Sequence, residues 1–474
     1  MVTKELTTGH VEIAELEYAG EPSRLFEGMV THHYPFFLDT GIPDCHGLGH
    51  FSFIGVNPFM TLSFKNDKAC INFKGKVSIL EANPFDVLAR VTRNLKINGE
   101  RGKIPFTGGA VGYLAYDLGR FLETLPRSVL DDQKFPEMYF AFYDKVLAFD
   151  HKDGKFYYCR TSFNEKPPAV KEEAEQFVEA LFLNAKRKNL PHHTAYSDIK
   201  EIVSNFKKDD YLRAVEKALE YIMAGDIYQV NLSQRFTTAL CAHPWEIYKK
   251  LRILNRAPMS AYLGFEEISV LSSSPERFLK VKGRTVETKP IKGTRRRGEN
   301  KLEDEKLKEE LSTSEKDRAE LNMIVDLERN DLGRVCEYGS VKVRKHAVVE
   351  SYATVHHLVS TVEGVLREDL DIFDLLKASF PGGSITGAPK IRAMEIIDEL
   401  EPTARNLYTG AIGYIDFNGD ADFNIAIRTI LAGKEKLSFQ VGGGIVADSD
   451  PEAEYQETLI KGKAIFETLK TISS

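Results

Sequence analysis

The sequence predicts an α+β protein built on largely antiparallel sheets. Three observations predict it: strand-like segments follow one another across short turns, helical segments come in blocks, and no regular strand–helix–strand alternation runs through the chain. Residues 1 to about 165 are rich in strand patterns. FSFIGVNPFMTLSFK (51–65) and KVLAFDHKDGKFYYCR (145–160) each predict a hairpin, the second turning on Asp153-Gly154. A charged, amphipathic helix is predicted over about 169–189, followed by the polar linker NLPHHTAYSDIKEIVSN. The linker places a boundary near residue 195, between an N-terminal region (1–195) and a C-terminal region (196–474).

Beyond the linker, DDYLRAVEKALEYIMAGD (209–226) carries Leu212, Val215, Leu219 and Ile222 at helical spacing. Asp209 or Asp210 would cap this helix and Gly225 would end it. YQVNLSQRFTT alternates like a strand, and SEKDRAELNMIVDLERNDLGRV (314–335) reads as a helix with a strongly charged face. SVKVRKHAVVE is a strand, FDLLKASFPGG runs a helix into a glycine loop, and APKIRAMEIIDELEP is a helix stopped by Pro402. Three strands follow, with turns at Asn418-Gly419 and Gly433-Lys434, and a last helix opens at Asp450-Pro451.

At 474 residues the chain has room for two or three cores, or one unusually large one. With 42% hydrophobic and 28% charged residues it has the balance of a soluble globular protein. A formal charge of −7 argues against nucleic-acid binding, which rests on cations facing phosphates. No stretch reaches the roughly 20 apolar residues of a membrane helix, so no membrane partner is expected. The first thirty residues show no secretory pattern. Cys45, Cys70, Cys159, Cys241 and Cys336 are scattered, without a CxxC pair, as in a reducing compartment; a cytoplasmic location is expected.

Charged residues at helical spacing carry the first chemical signal. Glu454, Glu457 and Lys461 share one face of the last helix, and Asp317 and Glu320 share a face of the helix at 314–335. Solvated faces look the same, but VGGGIV lies just before the last helix. Glycines there would let a ligand approach backbone N–H groups at Gly443 and Gly444. If the two helices face each other, Glu320 and Glu457 would hold one Mg²⁺, with Asp317 and Glu454 fixing its water. The stretch KPIKGTRRRG (289–298) has three readings on its own residues: a solvated basic turn, an anion clamp, or a nucleophilic lysine at Lys292. GGSITGAPK (382–390) imitates a phosphate-binding loop up to Gly387, but Ala388 stands where its lysine belongs, so no ATPase is expected.

These pieces together resemble the chorismate-utilising enzyme family. The matching segments run in order: SFIGVNP, GGAVGYLAYDLGR, GDIYQVNLSQRF, SSSPERF, PIKGT, DRAELNMIVDLERNDLGRV, HHLVS, GSITGAPKIRAMEIIDELEP, YTGAIGY, IAIRTI and VGGGIVADSDPEAEYQETLIKGKA. The resemblance implies two largely antiparallel sheets packed together with helices outside. PIKGT resembles the branch that forms aminodeoxychorismate, on the way to p-aminobenzoate and folate, whereas the anthranilate-forming branch looks like PIAGT. Relatives that add water carry a lysine where this chain has Gln229.

The resemblance assigns roles to particular residues. Lys292 would bond covalently to the ring and Glu276, in SSSPERF, would protonate the departing hydroxyl. For the lysine to be neutral its pKa must fall, with Arg295 to Arg297 as contributors if any points inward. Mg²⁺ on Glu320 and Glu457 would take the ring carboxylate of chorismate. Arg428, Tyr408 and Lys461, with N–H groups near Gly443 and Gly444, would take the enolpyruvyl carboxylate. Ser384 would donate to substrate, His357 would orient it, and Gly293 and Thr294 beside Lys292 would line the site. No cysteine lies in a Gly-x-Cys-x-Gly elbow, so ammonia would come from a separate glutamine amidotransferase subunit. A tryptophan pocket of the family kind would fall on Leu38 and Asp39 in FLDT and on Pro258 and Met259 in NRAPM; both stretches depart from the family pattern.

Overall fold

The computed structural model describes residues 9–17, 20–42, 46–95, 97, 102–163, 170–187 (side chains to 180), 201–352 and 355–472. Among them two antiparallel sheets of twelve strands each lie face to face. The first sheet runs Gly9–Leu16, Lys155–Phe163, Lys145–Asp150, Phe51–Gly55, Phe36–Asp39, Met259–Gly264, Ser269–Ser274, Thr429–Ala432, Lys436–Ile445, Gln229–Ala239 and Val203–Ser204. Gly387–Ala388 adds to the edge of Gln229–Ala239. The second runs Ile291–Arg296, Val355–Val365, Thr285–Lys289, Arg277–Lys282, Ala421–Ile425, Ala411–Asp416, Gly109–Leu114, Met138–Tyr143, Met60–Lys65, Lys68–Phe73 and Lys76–Leu80, with Lys342–Ser351 also paired to Val355–Val365.

Both faces of the central strands of each sheet are buried, which explains strands that read as apolar runs rather than as alternation. In Gly109–Leu114, Val111 and Tyr113 join a core between the sheets with Phe36, Phe53, Ala261 and Val270 of the first sheet. Ala110 and Leu114 point the other way, into a core with the helices Pro84–Arg93, Glu315–Gly333 and Ile372–Ser379. The outer face of the first sheet is covered by Pro244–Leu254 and Pro451–Ile472, through Trp245, Tyr248, Ile465 and Leu469. Lys208–Met223 and Lys390–Leu400 cover it near Val230 and Leu232. None of the described helices is long and apolar enough to cross a membrane.

The predicted hairpin at 145–160 forms, with Lys155 opposite Asp150. The one at 51–65 does not. Phe51–Gly55 belongs to the first sheet and Met60–Lys65 to the second, with Asn57 at φ 56 where the chain leaves one for the other. The predicted middle strand of 406–446 divides in the same way: Ala421–Ile425 lies in the second sheet and Thr429–Ala432 in the first, with Arg428 at φ 51 between them. The helix Lys208–Met223 is capped at Lys207, ahead of the expected Asp209 or Asp210, and without a side-chain hydrogen bond. Asp209 and Asp210 sit in its first turn, where a carboxylate meets the positive end of the helix dipole.

The boundary expected near residue 195 lies outside the described residues. On either side of it, Phe36–Asp39 pairs with Met259–Gly264, and Gly109–Leu114 pairs with Ala411–Asp416. Each sheet therefore draws strands from both sequence regions.

Candidate active site

The glycines of VGGGIV are not a loop. They end the strand Lys436–Ile445, with Gly444 opposite Asn231 and Gly443 opposite Leu232. On the other side, pairing with Thr429–Ala432 stops at Phe439, so no described strand covers that edge of the glycines. Side chains crowd in where the glycines have none. A Cβ on Gly443 would lie 3.0 Å from Glu454 Oε2, 3.6 Å from Glu457 Oε1 and 3.9 Å from Lys461 Nζ. A Cβ on Gly444 would strike Gln229 Nε2 and lie 3.5 Å from Lys292 Nζ. The missing side chains leave space for charged groups from two elements, the last helix and the strand of Lys292, to converge here.

Lys292 comes from the strand Ile291–Arg296 and is half-buried. Burial pushes its amine below the usual lysine range; Glu320, Glu276 and Glu457 oppose that push and Lys461 adds to it. The three arginines that follow are not its cationic neighbours. Arg295 is bound to Glu310 at 2.8 Å and Asp317 at 3.1 Å, Arg296 to Glu303, and Arg297 to Asp304 at 2.7 Å. The helix Lys301–Thr313 thus neutralises the run, and the expectation that these arginines lower the lysine's pKa is corrected. Lys461 is the cation facing Lys292.

Glu276 follows the strand Ser269–Ser274 and is buried. Its Oε1 accepts from Ser384 Oγ at 2.7 Å and from the Ile291 N–H at 3.4 Å. Burial raises its carboxyl above the usual range, against the pull of Ser384 and Lys292. Among the described residues no ion pair within 4.0 Å joins it to Lys292. The arrangement offers one amine biased toward neutral and one carboxyl biased toward its acid form, the pairing a nucleophile and a general acid require.

His357, on Val355–Val365, is buried with Nδ1 at 2.9 Å from Thr294 Oγ1 and with no partner on Nε2. Burial, with Arg428 adding repulsion, pushes its pKa down to about 3, so the ring is neutral. Arg428 sits at the crossing between the sheets and donates from Nη1 to Asn255 Oδ1 at 3.1 Å. No carboxylate lies within 4.0 Å of it among the described residues, and burial lowers its pKa. A half-buried guanidinium without a carboxylate partner among the described residues has the chemistry to accept an anion. Tyr408 is buried, its ring 5.7 Å from the Arg405 guanidinium, and burial raises its phenol. Thr294 is exposed apart from its bond to His357, and Gly293, at φ 73, packs so closely on Asp317 that a Cβ would lie 2.8 Å from Oδ1.

The carboxylates differ in how free they are. Glu320 on Glu315–Gly333 is partly buried; burial raises its pKa while Lys292 and Lys316 lower it and Glu457 adds repulsion. Glu457 is paired with Lys461 Nζ at 2.5 Å, which outweighs burial and holds its carboxyl below the usual range. Lys461 also donates to Gly442 O at 3.1 Å. Glu454 is buried and accepts from Ser449 Oγ at 2.6 Å. Asp317 is engaged by Arg295. Among the described residues no three His, Cys, Asp or Glu side chains converge as a metal cage. Glu320 and Glu457 still suit Mg²⁺, which takes one or two carboxylates and fills its remaining positions with water and substrate oxygens.

Leu38, Asp39, Pro258 and Met259 line one cavity of about 250 Å³, together with Arg277, Tyr414 and Asp422. Its carboxylate Asp39 is held by Arg252 at 2.6 Å and by Tyr248 at 3.2 Å. The sequence reading missed the bond from Ser384 to Glu276 and the role of Lys461 beside Lys292. Both join segments about a hundred or more residues apart, and no local pattern signals them.

Residues 43–467 match the family model described as chorismate binding enzyme. The chain is 40% identical over 425 residues to aminodeoxychorismate synthase component 1 of Bacillus subtilis, covering 89% of this chain and 90% of the relative. It is also 40% identical over 459 residues to anthranilate synthase component 1 of Acetivibrio thermocellus, covering 95% and 92%. The crystal structure of anthranilate synthase component I from Streptococcus pneumoniae superimposes with a TM-score of 0.77 at 34% identity, covering 90% of this chain and 93% of that one.

Proposed function

The chain belongs to the chorismate-binding enzyme family, and from that premise we propose that it converts chorismate and ammonia to 4-amino-4-deoxychorismate. The carrying observation is the Lys292 amine, biased toward neutral beside Gly444 and unpaired with the raised Glu276 carboxyl. In this reading Arg428, Tyr408 and Lys461 hold the enolpyruvyl carboxylate, with N–H groups of Gly443 and Gly444. Glu320 and Glu457 would hold Mg²⁺, which when bound neutralises the ring carboxylate, with Glu454 and Asp317 outside them. The neutral His357 orients the substrate through Nε2.

The Lys292 amine bonds to C2 of the ring, both double bonds of the ring diene shift by one bond, and the 4-hydroxyl leaves as water with the proton of Glu276. Ammonia then bonds to C4, both double bonds return to their first positions, the bond from C2 to Lys292 breaks, and the extra proton on the new amine passes to Glu276. A Glu276 that stays protonated until the hydroxyl departs fits its burial.

Both matching relatives are named as component 1, which implies a second component. We assign that place to a glutamine amidotransferase that supplies ammonia. The cavity at Leu38, Asp39, Pro258 and Met259 is the place for tryptophan. A second reading, anthranilate formation, is supported by the equal identity of the anthranilate synthase relative. Product identity separates the two. With chorismate, ammonia and Mg²⁺, the chain should form an aminated product that keeps its enolpyruvyl group, and Lys292→Ala should abolish it. Fluorescent anthranilate from the unaltered chain would refute the proposal.

A further inference from the structure

Glu328 lies on the helix Glu315–Gly333, about two turns past Glu320, and the chemistry above makes no use of it. It is 3% exposed, and its Oε2 is buried without a hydrogen-bond partner. The nearby cation is engaged elsewhere: Lys390 Nζ lies 2.5 Å from Asp331 Oδ2 and donates to Ser379 O at 2.8 Å. Burial, with Asp331 adding repulsion, raises the Glu328 carboxyl above the usual range. A buried carboxyl with an unsatisfied oxygen costs stability, and an apolar side chain of that size would cost less. A group kept against such a cost calls for a task.

The other end of the carboxyl shows one. The Gly383 N–H donates to it, and a Cβ on Gly383 would lie 3.3 Å from Glu328 Oε1 and 2.5 Å from Leu327 Cδ2. Glycine lets the helix come this close to the chain. Gly383 opens the short turn Gly383–Ile385, which carries Ser384, and beyond it Thr386 Oγ1 donates back to Gly382 O at 2.8 Å. Ser384 is buried, and its Oγ donates to Glu276 Oε1 at 2.7 Å. Glu328 therefore grips the turn one residue before the hydroxyl that aims the general acid. An O–H···O bond holds only over about 2.5–3.0 Å, so a small drift of the turn would release that acid.

We propose that Glu328 is a positioning residue for the reaction: its carboxyl anchors the turn at Gly383 so that Ser384 holds Glu276 where it gives up its proton. The inference deepens the reading above and rests on Glu276 being the acid. The test follows chorismate consumption by the full chain with Mg²⁺ and ammonium chloride at fixed pH, and identifies the product separately. Glu328→Met keeps the length of the side chain without the acceptor, and Glu328→Gln keeps an acceptor for the Gly383 N–H. The Met variant should lose tenfold or more in kcat with KM for chorismate within threefold, and the Gln variant should stay within threefold of the unaltered kcat. In a Ser384→Ala background, Glu328→Met should cost less than threefold further, because the hydroxyl it positions is already gone. An unchanged kcat in Glu328→Met overturns the proposal, as does an effect confined to KM, a Gln variant no better than Met, or a full second loss in the Ser384→Ala background. If Glu328→Met does not keep the unfolding midpoint, Gly383→Ala pushes the same turn off the helix from the other side. It should lower kcat likewise, and a loss that persists undiminished in the Ser384→Ala background overturns the proposal. Anthranilate as the product refutes the amination reading while the ratios of chorismate consumption still decide the role of Glu328; a chain that consumes no chorismate refutes both.

Discussion

Replacing His357 by glutamine should remove a specific part of the protein's acid sensitivity. The imidazole is buried between Thr294 and Arg428, and its pKa falls from 6.5 to about 3 on folding. Because the folded value is depressed, the unfolded chain binds the proton first as pH drops, and native stability is lost between pH 6.5 and 3. At pH 5 the folded ring is still neutral while the unfolded one is almost wholly charged. Linkage then gives a loss of about 2 kcal/mol between pH 7 and pH 5 from this one residue. Urea unfolding of the parent and His357→Gln at the two pH values measures it, and proton uptake on unfolding at pH 5 should be nearly one proton smaller in the variant. Equal pH dependence in both proteins would refute the claim that the ring is neutral and unpaired at Nε2. The same claim requires that no ionisation in the turnover profile between pH 5 and 8 belong to His357.

Two further outcomes follow from the anion and metal sites. Arg428→Ala should raise KM for chorismate roughly 10- to 100-fold, since a hydrogen bond to a charged group is worth about 1.5–3 kcal/mol; Arg428→Lys should recover only part, because the fork is lost. Steady-state kinetics with an unchanged KM in Arg428→Ala would remove the guanidinium from the substrate site. Glu320→Gln should raise the Mg²⁺ concentration for half-maximal activity tenfold or more, whereas Asp317→Asn, whose carboxylate is already held by Arg295, should shift it much less. A larger shift at Asp317 would reverse the roles assigned to the two.

The parts of the site legible in the sequence are those fixed by helical spacing. Glu454, Glu457 and Lys461 gather at Gly443 because one helix face carries them, and Glu320 approaches from its own helix in the same way. Strand partners were less legible. Asn57-Pro58 reads as a turn whether the strands beside it pair or part, and here they part into different sheets. The segment around Arg428 hides the same choice. The arginines after Lys292 misled for another reason: their acidic partners lie on the helix Lys301–Thr313, whose charges read locally as a solvated face.

Strands that interleave across the whole chain have a consequence for biosynthesis. Phe36–Asp39 finds Phe51–Gly55 early but its other edge waits until Met259–Gly264 leaves the ribosome, and Gly109–Leu114, paired early with Met138–Tyr143, waits on its other edge for Ala411–Asp416. For most of translation the nascent polypeptide therefore exposes bare hydrogen-bonding edges, and its maturation should be slow and dependent on chaperones.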